Sequence, residues 1–245
     1  MTDRLELLRI DLETSFVLSG HGRIERINDP DESKGPRLCL IGSSAGNLVC
    51  VHHHLSDNLA ARITALVAAA PPWVSRRSAF DCKKELVSLI AEDGPVESIE
   101  TELIWRLPHA TPFNSDAHIL RSDTDRGREL LERLSREGVP KHLYEAGFVG
   151  IGDFWEPWCV ALDDGQIAAI AFAARLSERG AAIGVYTFPG HRGRGYAAAV
   201  TAAWSSLASL EGRKLFYSAR STNKSSRRVT ERLGLEHIGM KLEIA

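Results

Sequence analysis

The chain has 245 residues, of which 44% are hydrophobic and 25% are charged, and its formal net charge is −2. These proportions are typical of a globular protein, and the lack of a basic excess argues against general nucleic-acid binding. No run of about 18 apolar residues occurs, so we expect no membrane contact. The four cysteines form no C-x-x-C pair, which argues against a zinc or redox motif. Because the N-terminus lacks the apolar core of a signal peptide, we expect a cytoplasmic protein.

The first half alternates short apolar runs with turn residues, a pattern that predicts a small α+β unit. Its predicted elements are a hairpin at 14–27, a strand pair at 37–41 and 47–52, a helix at 59–70 and a strand-like segment at 99–107. The sequence PHATP at 108–112 is typical of a linker. We therefore predict an N-terminal domain of unknown role at 1–112 and a second domain at 113–245.

The second half shows a more regular order of strand and helix patterns. Its predicted elements are a strand at 118–121, helices at 125–136 and 141–148, strands at 158–162, 167–175 and 182–188, a helix at 196–210, a strand at 215–219, a helix at 223–233 and a strand at 237–244. The Asp163-Asp164-Gly165 turn between two apolar runs predicts a hairpin. The whole order predicts a mixed α/β layer.

A glycine-rich loop at 185–197, VYTFPGHRGRGYA, joins a predicted strand to a predicted helix. Glycines let the backbone approach a ligand closely, since no Cβ stands in the way. The first amide N–H groups of the helix have no partner within it, and the helix dipole adds positive charge, so the loop suits a phosphate. It is not a Walker loop, because no Gly-Lys-Ser/Thr follows. Taken alone, the motif also fits a plain glycine-rich turn before a helix.

Two flanking patterns decide between these interpretations. The strand Val185-Tyr186-Thr187-Phe188-Pro189 precedes the loop, and Ser221-Thr222-Asn223-Lys224-Ser225-Ser226 leads on to Arg232-Leu233-Gly234-Leu235. Over residues 116–245 this arrangement resembles the GNAT superfamily of N-acetyltransferases, and more narrowly its bacterial members with an additional N-terminal domain. The resemblance implies an α/β (α+β) fold, in which a mixed, mostly antiparallel sheet is flanked by helices and preceded by a smaller α+β domain.

The resemblance also implies a donor site for acetyl-CoA, with no metal. The co-substrate would lie between the strands at 182–188 and 215–219, and an amine would attack the thioester directly in a ternary complex while a backbone N–H polarises the carbonyl. Backbone groups of Thr187 and Phe188 would pair with the pantetheine arm, and Asn223 and Ser226 would approach it. The pyrophosphate would be held by the backbone amides of Arg192, Gly193, Arg194, Gly195, Tyr196 and Ala197.

The acid and base of the reaction do not follow from the resemblance. The strand before the loop carries no acidic residue, and Thr230 stands where many relatives have a tyrosine. Tyr186 and Tyr217 are therefore the catalytic candidates, although both are also ordinary strand aromatics. These departures leave open an alternative function, an acyl-CoA-binding sensor or scaffold with little catalysis.

The acceptor would be a small-molecule or peptide amine. Aromatic and acidic residues suited to a cationic amine occur at 141–158. They are Glu145, Asp153, Trp155, Glu156 and Trp158. The same segment also fits a helix and loop that only pack on the sheet. We expect no nucleic-acid partner, and a homodimer is among the assemblies that the sequence allows.

Three further patterns were weighed. The sequence at 42–46 matches the G-x-S-x-G elbow of serine hydrolases with Ser44 as nucleophile, but the residues after it alternate like a strand where a helix is needed. His52, His53 and His54 are consecutive, and alternation along a strand would point them to opposite faces, away from a common ion. Arg227 and Arg228 fit either the 3′-phosphate of CoA or a solvated helix face.

Overall fold

The computed structural model of the chain describes residues 3–75 and 79–245, and these ranges contain seven helices and eleven strands. The helices are α1 (Arg4–Ser15), α2 (Asp57–Ala69), α3 (Lys83–Ala91), α4 (Asp125–Glu137), α5 (Lys141–Tyr144), α6 (Tyr196–Trp204) and α7 (Lys224–Arg232). The strands are β1 (Phe16–Leu18), β2 (Ile24–Ile27), β3 (Leu38–Ser43), β4 (Gly46–Val51), β5 (Ile99–Leu107), β6 (His118–Arg121), β7 (Trp158–Asp163), β8 (Gln166–Leu176), β9 (Gly180–Thr187), β10 (Lys214–Arg220) and β11 (Glu236–Ile244).

Nine of these strands form one sheet, in the order β4-β3-β11-β5-β10-β9-β8-β7-β6, and β1 and β2 form a separate hairpin. The pairing of β9 with β10 is parallel and every other pairing of the large sheet is antiparallel. Helices lie on both faces of this sheet. The predicted fold class, a mixed and mostly antiparallel sheet flanked by helices, is confirmed.

Strands from both halves of the sequence share the large sheet. Strand β5, from the first half, lies between β10 and β11 and pairs with each of them. On its other edge β11 pairs with β3, which also belongs to the first half. The boundary after residue 112 stays a prediction, and the two segments it would separate are joined by continuous backbone hydrogen bonding.

Alternation along the central strands divides the core between the two faces of the sheet. On β5, Leu103 and Trp105 pack on the face that also receives α2, α3 and α6, whereas Ile104 packs on the face that receives α1. Strand β10 repeats this pattern, since Tyr217 belongs to the first cluster and Phe216 to the second. A third cluster lies under α4 and α5 at the β6–β8 end of the sheet.

Local sequence signals explain several element boundaries. Thr124 caps α4, because its Oγ1 accepts a hydrogen bond from the Gly127 backbone N–H at 3.3 Å. Asp164 and Gly165 both have positive φ, 49° and 77°, as the predicted Asp-Gly hairpin turn between β7 and β8 requires. The predicted helix at 196–210 is shorter than expected, since α6 ends at Trp204.

Helix α1 is an element that the sequence pattern did not predict. Its buried residues include Leu7, Leu8, Asp11, Leu12 and Thr14, so both sides of the helix are covered. A helix that is enclosed on several sides has no single apolar stripe, and periodicity therefore does not reveal it.

A buried ion pair fixes α1 to the sheet. Lys241 on β11 is 4% exposed, and its Nζ lies 3.0 Å from Asp11 Oδ2 and 3.0 Å from Ser15 Oγ, both on α1. Burial is the largest single influence and lowers the pKa of Lys241, but the combined attraction of Asp11, Glu102 and Glu243 outweighs it and raises the pKa above its usual value. The lysine is therefore charged inside the protein.

Within residues 3–75 and 79–245, no helix combines the length and the apolarity needed to cross a bilayer.

Candidate functional site

The parallel junction of the sheet opens part-way along its length. Residues 214–217 of β10 pair with residues 180–183 of β9, and the pairing ends at Tyr217 and Ile183. Beyond this point β9 continues to Thr187 along β8, while β10 continues to Arg220 along β5. The two strands therefore separate, and a slot forms in the sheet.

A cleft of about 770 Å³ lies at this slot. The end of β9, the loop after it, the start of α6, β10 and α7 all contribute to its wall. Ten of the predicted site residues line it: Tyr186, Thr187, Arg192, Gly193, Gly195, Tyr196, Ala197, Tyr217, Asn223 and Ser226. Phe188 and Arg194 are not among the lining residues. The fold thus brings together predicted site residues that are up to forty positions apart in the chain.

The glycine loop has the backbone geometry that its composition predicts. Gly193 and Gly195 have φ values of 83° and 88°, in the region that favours glycine. Gly195 is also the N-cap of α6, and the first helical hydrogen bond runs from the Ala199 N–H to the Gly195 carbonyl at 3.1 Å. The amides at 196–198 precede that bond and have no partner within the helix, so the loop presents free N–H donors and the positive end of the helix dipole to the cleft.

Three arginines add positive charge to the cleft wall. Arg192 comes from the loop, and Arg228 and Arg232 come from one side of α7, four residues apart. Arg227, the neighbour of Arg228, does not line the cleft. From sequence alone, either arginine fits a phosphate contact or a solvated helix face. Arg228 and Arg232 are spaced at i and i+4, so they lie on one face of α7, and this spacing is the signal that distinguishes Arg228 from Arg227.

Asp163, in the turn between β7 and β8, holds the glycine loop from outside. Its Oδ2 accepts a hydrogen bond from His191 Nδ1 at 2.8 Å and also pairs with the Arg194 guanidinium. Hydrogen bonding from His191, with further contributions from Tyr196 and Arg194, holds the pKa of Asp163 below its usual value. Arg194 is therefore turned towards Asp163. The sequence pattern indicates only a turn role for Asp163, because its contact with His191 spans 28 residues.

Comparison with known proteins gives a family match for part of the chain. Residues 141–240 match the model of the GNAT acetyltransferase family, and this range contains the whole cleft. This part of the chain is therefore similar to a GNAT acetyltransferase domain. The resemblance that the loop and its flanking patterns indicated is confirmed, and the family supports acyltransferase activity in general. No curated protein matches the chain in sequence.

Several solved structures are similar to the chain. A protein described as a GNAT-family acetyltransferase, from Novosphingobium aromaticivorans, is 21% identical with a TM-score of 0.41; the match covers 61% of this chain and 66% of that one, just under two thirds of its length. A GCN5-related N-acetyltransferase-like protein from Streptococcus suis is 17% identical over 88% of this chain and 86% of its own, with a TM-score of 0.44. A tandem GNAT protein from the clavulanic acid biosynthesis pathway is 13% identical over 98% and 93%, with a TM-score of 0.41.

The two tyrosine candidates differ in their surroundings. Tyr217 is 3% exposed and packs edge-on against Trp105. Burial raises the pKa of Tyr217, and the side chain of Ser226 opposes the rise. Tyr186 is half-buried, and its ring packs against those of Phe148 and Phe188. Both tyrosines line the cleft, Tyr186 from β9 and Tyr217 from β10.

Helix α7 uses some of the predicted residues for its own structure. The side chain of Asn223 caps the helix, because its Oδ1 accepts a hydrogen bond from the Ser226 backbone N–H at 3.0 Å. Thr230 is buried, and its hydroxyl donates to the Arg227 carbonyl at 2.8 Å. Thr230, which stands where the resemblance led us to expect a tyrosine, is thus a buried residue that bonds within α7.

The residues predicted to frame the acceptor do not line the cleft. Trp158 is fully buried in the third core cluster, and Asp153 accepts backbone hydrogen bonds from Val149 and Gly150 at 2.7 and 2.8 Å. Glu145 is exposed and pairs with Lys141 at 3.4 Å. For most of this segment the packing interpretation is the one that fits.

Two of the other patterns also have a definite outcome. Ser44 lies in the turn between β3 and β4, which pair antiparallel, so the helix that a hydrolase elbow needs is replaced by a strand. The expectation that strand alternation separates His52, His53 and His54 is wrong. Strand β4 ends at Val51, and the chain turns at the histidines, which brings their ring nitrogens to within 4.8 Å of one another.

Proposed function

We propose that the chain transfers an acetyl group from acetyl-CoA to a primary amine by direct attack in a ternary complex. The carrying observation is the cleft at the β9–β10 slot, where free helix amides, glycines and three arginines meet. Such a combination suits a ligand with a pyrophosphate at one end and an extended arm that enters the sheet. The family assignment of residues 141–240 supports the same reaction class.

The residues of the cleft fit the donor molecule in three ways. The amides at 196–198 and the side chain of Arg192 would hold the pyrophosphate. Arg228 and Arg232 would neutralise the remaining phosphate charge from α7. The missing Cβ at Gly193 leaves the backbone open to a close approach, since nothing lies within 4 Å of where that Cβ would be.

The chemistry needs one bond made, one bond broken and three proton movements. The amine nitrogen attacks the thioester carbonyl carbon, the carbon–sulfur bond breaks, and the departing thiolate takes a proton. We assign that proton to the hydroxyl of Tyr217, whose raised pKa keeps it protonated at neutral pH. The attacking amine must be neutral and then lose a proton. The segment at 183–187 offers no carboxylate for this, so solvent would accept the proton and would then return one to the Tyr217 phenolate after the thiol departs.

A panel of amines tests the proposal. The full chain is mixed with acetyl-CoA and each amine, small or peptidic, and free thiol is measured. We expect amine-dependent thiol release from at least one member, with a rate that rises with pH because the neutral fraction of an alkylamine grows about tenfold for each pH unit below a pKa near 10.

A second function, an acyl-CoA sensor or scaffold, is favoured by a specific observation. Thr230 is buried and bonded within α7, and the end of β9 carries no acid, so two positions that commonly serve proton transfer are altered. Tight CoA binding by calorimetry together with no thiol release for any amine would support the sensor and contradict the enzyme. Amine-dependent release at catalytic turnover would do the reverse.

A further inference from the structure

The three consecutive histidines gather at the edge of the sheet, far along the chain from the donor cleft. His52 follows β4 and forms a parallel bridge with Ile24 of β2. The chain then turns, and the ring centroids of the three imidazoles lie 4.0–4.9 Å apart. One ring nitrogen from each histidine falls within 4.8 Å of the other two. Three imidazole nitrogens therefore lie close together at one end of β4.

Hydrogen bonding fixes which nitrogens carry lone pairs. His53 Nδ1 lies 3.0 Å from the Ile24 carbonyl oxygen, which can only accept, so this nitrogen carries the hydrogen and Nε2 has the lone pair. His52 Nδ1 carries no hydrogen, but its lone pair accepts a long hydrogen bond from the His54 backbone N–H at 3.3 Å, so this bond must open before the nitrogen can bind an ion. A carbonyl that orients an imidazole in this way is the usual outer partner of a metal-binding histidine.

The distances between the three imidazole nitrogens are slightly longer than those of a metal-bound site. Imidazole nitrogens at 2.0–2.1 Å from a tetrahedral ion lie roughly 3.3 Å from one another. The nitrogens must therefore approach by about 1.5 Å at most, starting from the observed limit of 4.8 Å. His52 is 5% exposed, and His53 is exposed but oriented by the Ile24 carbonyl, so the exposed His54 is the side chain best able to move towards the other two.

We propose that His52, His53 and His54 bind one late first-row divalent ion, Zn²⁺ or Ni²⁺, with water completing the coordination. Imidazole is a preferred ligand for both ions. The ion would join the end of β4 to β2 through the Ile24 carbonyl and would fasten the turn that leads to Ser56, the N-cap of α2. The site shares no residue with the donor cleft, so it stands apart from the proposed acyl transfer.

Metal titration of the full, tag-free chain tests the site. The chain is first stripped with a chelator, and Ni²⁺ and Zn²⁺ are then titrated separately by calorimetry. We expect one ion per chain, and a melting temperature that rises with metal concentration because only the folded state presents the three ligands together. His54→Gln should weaken binding at least tenfold, and His53→Gln should do the same. The matched control His118→Gln, at an exposed histidine on β6, should bind as the wild type does.

Far-ultraviolet circular dichroism of each metal-free variant shows whether it folds. His54 makes no side-chain bond to another element among those described, so its variant should keep the fold even if the His53 variant does not. Absence of binding by the folded wild type overturns the site. Unchanged binding by His54→Gln overturns it too, because the ion would then lie elsewhere, as at the partly exposed Cys82.

Discussion

The two junctions that flank β10 differ in how far they stay closed. Towards β5, residues 215–220 remain paired to the end of the strand, and the junction ends in a bidentate ion pair of Arg220 with Glu100. Towards β9, the pairing stops at Tyr217, and the cleft begins there. Strand β10 therefore completes the sheet on its β5 edge and forms the wall of the cleft on its β9 edge.

The difference lies in the shape of the chain around each junction. Strand β5 fills the space between β10 and β11 and gives both of them an antiparallel partner along their length. Strand β9 instead stays with β8 up to Thr187 and leads directly into the glycine loop. We call the β10–β5 junction the closed side and the β10–β9 junction the open side. Because β10 stays paired with β5 beyond Tyr217 while β9 stays paired with β8, the two strands diverge and a gap opens between them.

The largest effect should come from the ion pair that anchors α1 to β11, the other neighbour of β5 in the sheet. Lys241→Ala would leave the Asp11 carboxylate buried beside α1 without its cation, and we expect the free energy of unfolding to fall by about 3–5 kcal/mol. Denaturant unfolding measures the change. The control Lys84→Ala removes an exposed lysine of α3 and should change stability little. Equal losses in both variants would mean that the pair does not anchor α1.

On the open side, removing the Tyr217 hydroxyl should lower the reaction rate and leave CoA binding nearly unchanged. Tyr217→Phe removes the proposed proton donor, and we expect the rate of amine-dependent thiol release to fall about 100-fold while CoA affinity stays within a few-fold. The parallel exchange Tyr186→Phe should have a much smaller effect on the rate, because that ring packs against Phe148 and Phe188. A larger loss at Tyr186 than at Tyr217 would reverse the assignment of the donor.

Charge on the cleft wall should matter less than the phenol. Arg228→Gln removes one arginine from the proposed phosphate site, and we expect the dissociation constant for CoA to rise about tenfold, the loss of one charge-assisted hydrogen bond. Calorimetric titration measures it. Arg227→Gln is the matched control, one position earlier on α7 and outside the cleft lining. If both variants bind CoA equally weakly, the arginines act only through the general field of the helix.

The open side was largely predictable from sequence, whereas the closed side was not. The loop depends on the backbone of Gly193 and Gly195, and the α7 cap depends on a bond from Asn223 to a residue three positions away. A short stretch of sequence is therefore enough to predict both. The insertion of β5 between β10 and β11 depends on pairings across more than 100 residues, which no local pattern records.

The same reasoning explains the two errors of detail. Helix α1 is covered on several sides, so its burial leaves no stripe in the sequence. The histidines at 52–54 were expected to alternate because β4 was predicted to run to residue 52, and a strand that ends one residue earlier gives them a turn instead. Boundary positions are the least certain part of any pattern, and here one residue decides whether three imidazoles face one another.

The smallest expected effect concerns Asp163, which contacts the glycine loop through His191 and Arg194 and lies outside the cleft lining. Asp163→Asn should weaken CoA binding by less than Arg228→Gln does, because it loosens the hold on His191 and Arg194 and removes no contact to the ligand. It should also lower the melting temperature at pH 7. Hydrogen bonding from His191 holds the pKa of Asp163 below its usual 3.8, so the carboxylate contributes stability above about pH 4 and loses it as pH falls through the lowered folded-state pKa.

The difference in melting temperature between wild type and Asp163→Asn should therefore shrink from pH 7 to pH 3. The matched control Asp164→Asn changes the neighbouring exposed carboxylate, whose positive φ an asparagine tolerates, and should melt like the wild type at both pH values. A difference that stays constant down to pH 3 would show that Asp163 supports the turn through its shape. A difference that vanishes would show that its charge holds the glycine loop beside the gap between β9 and β10.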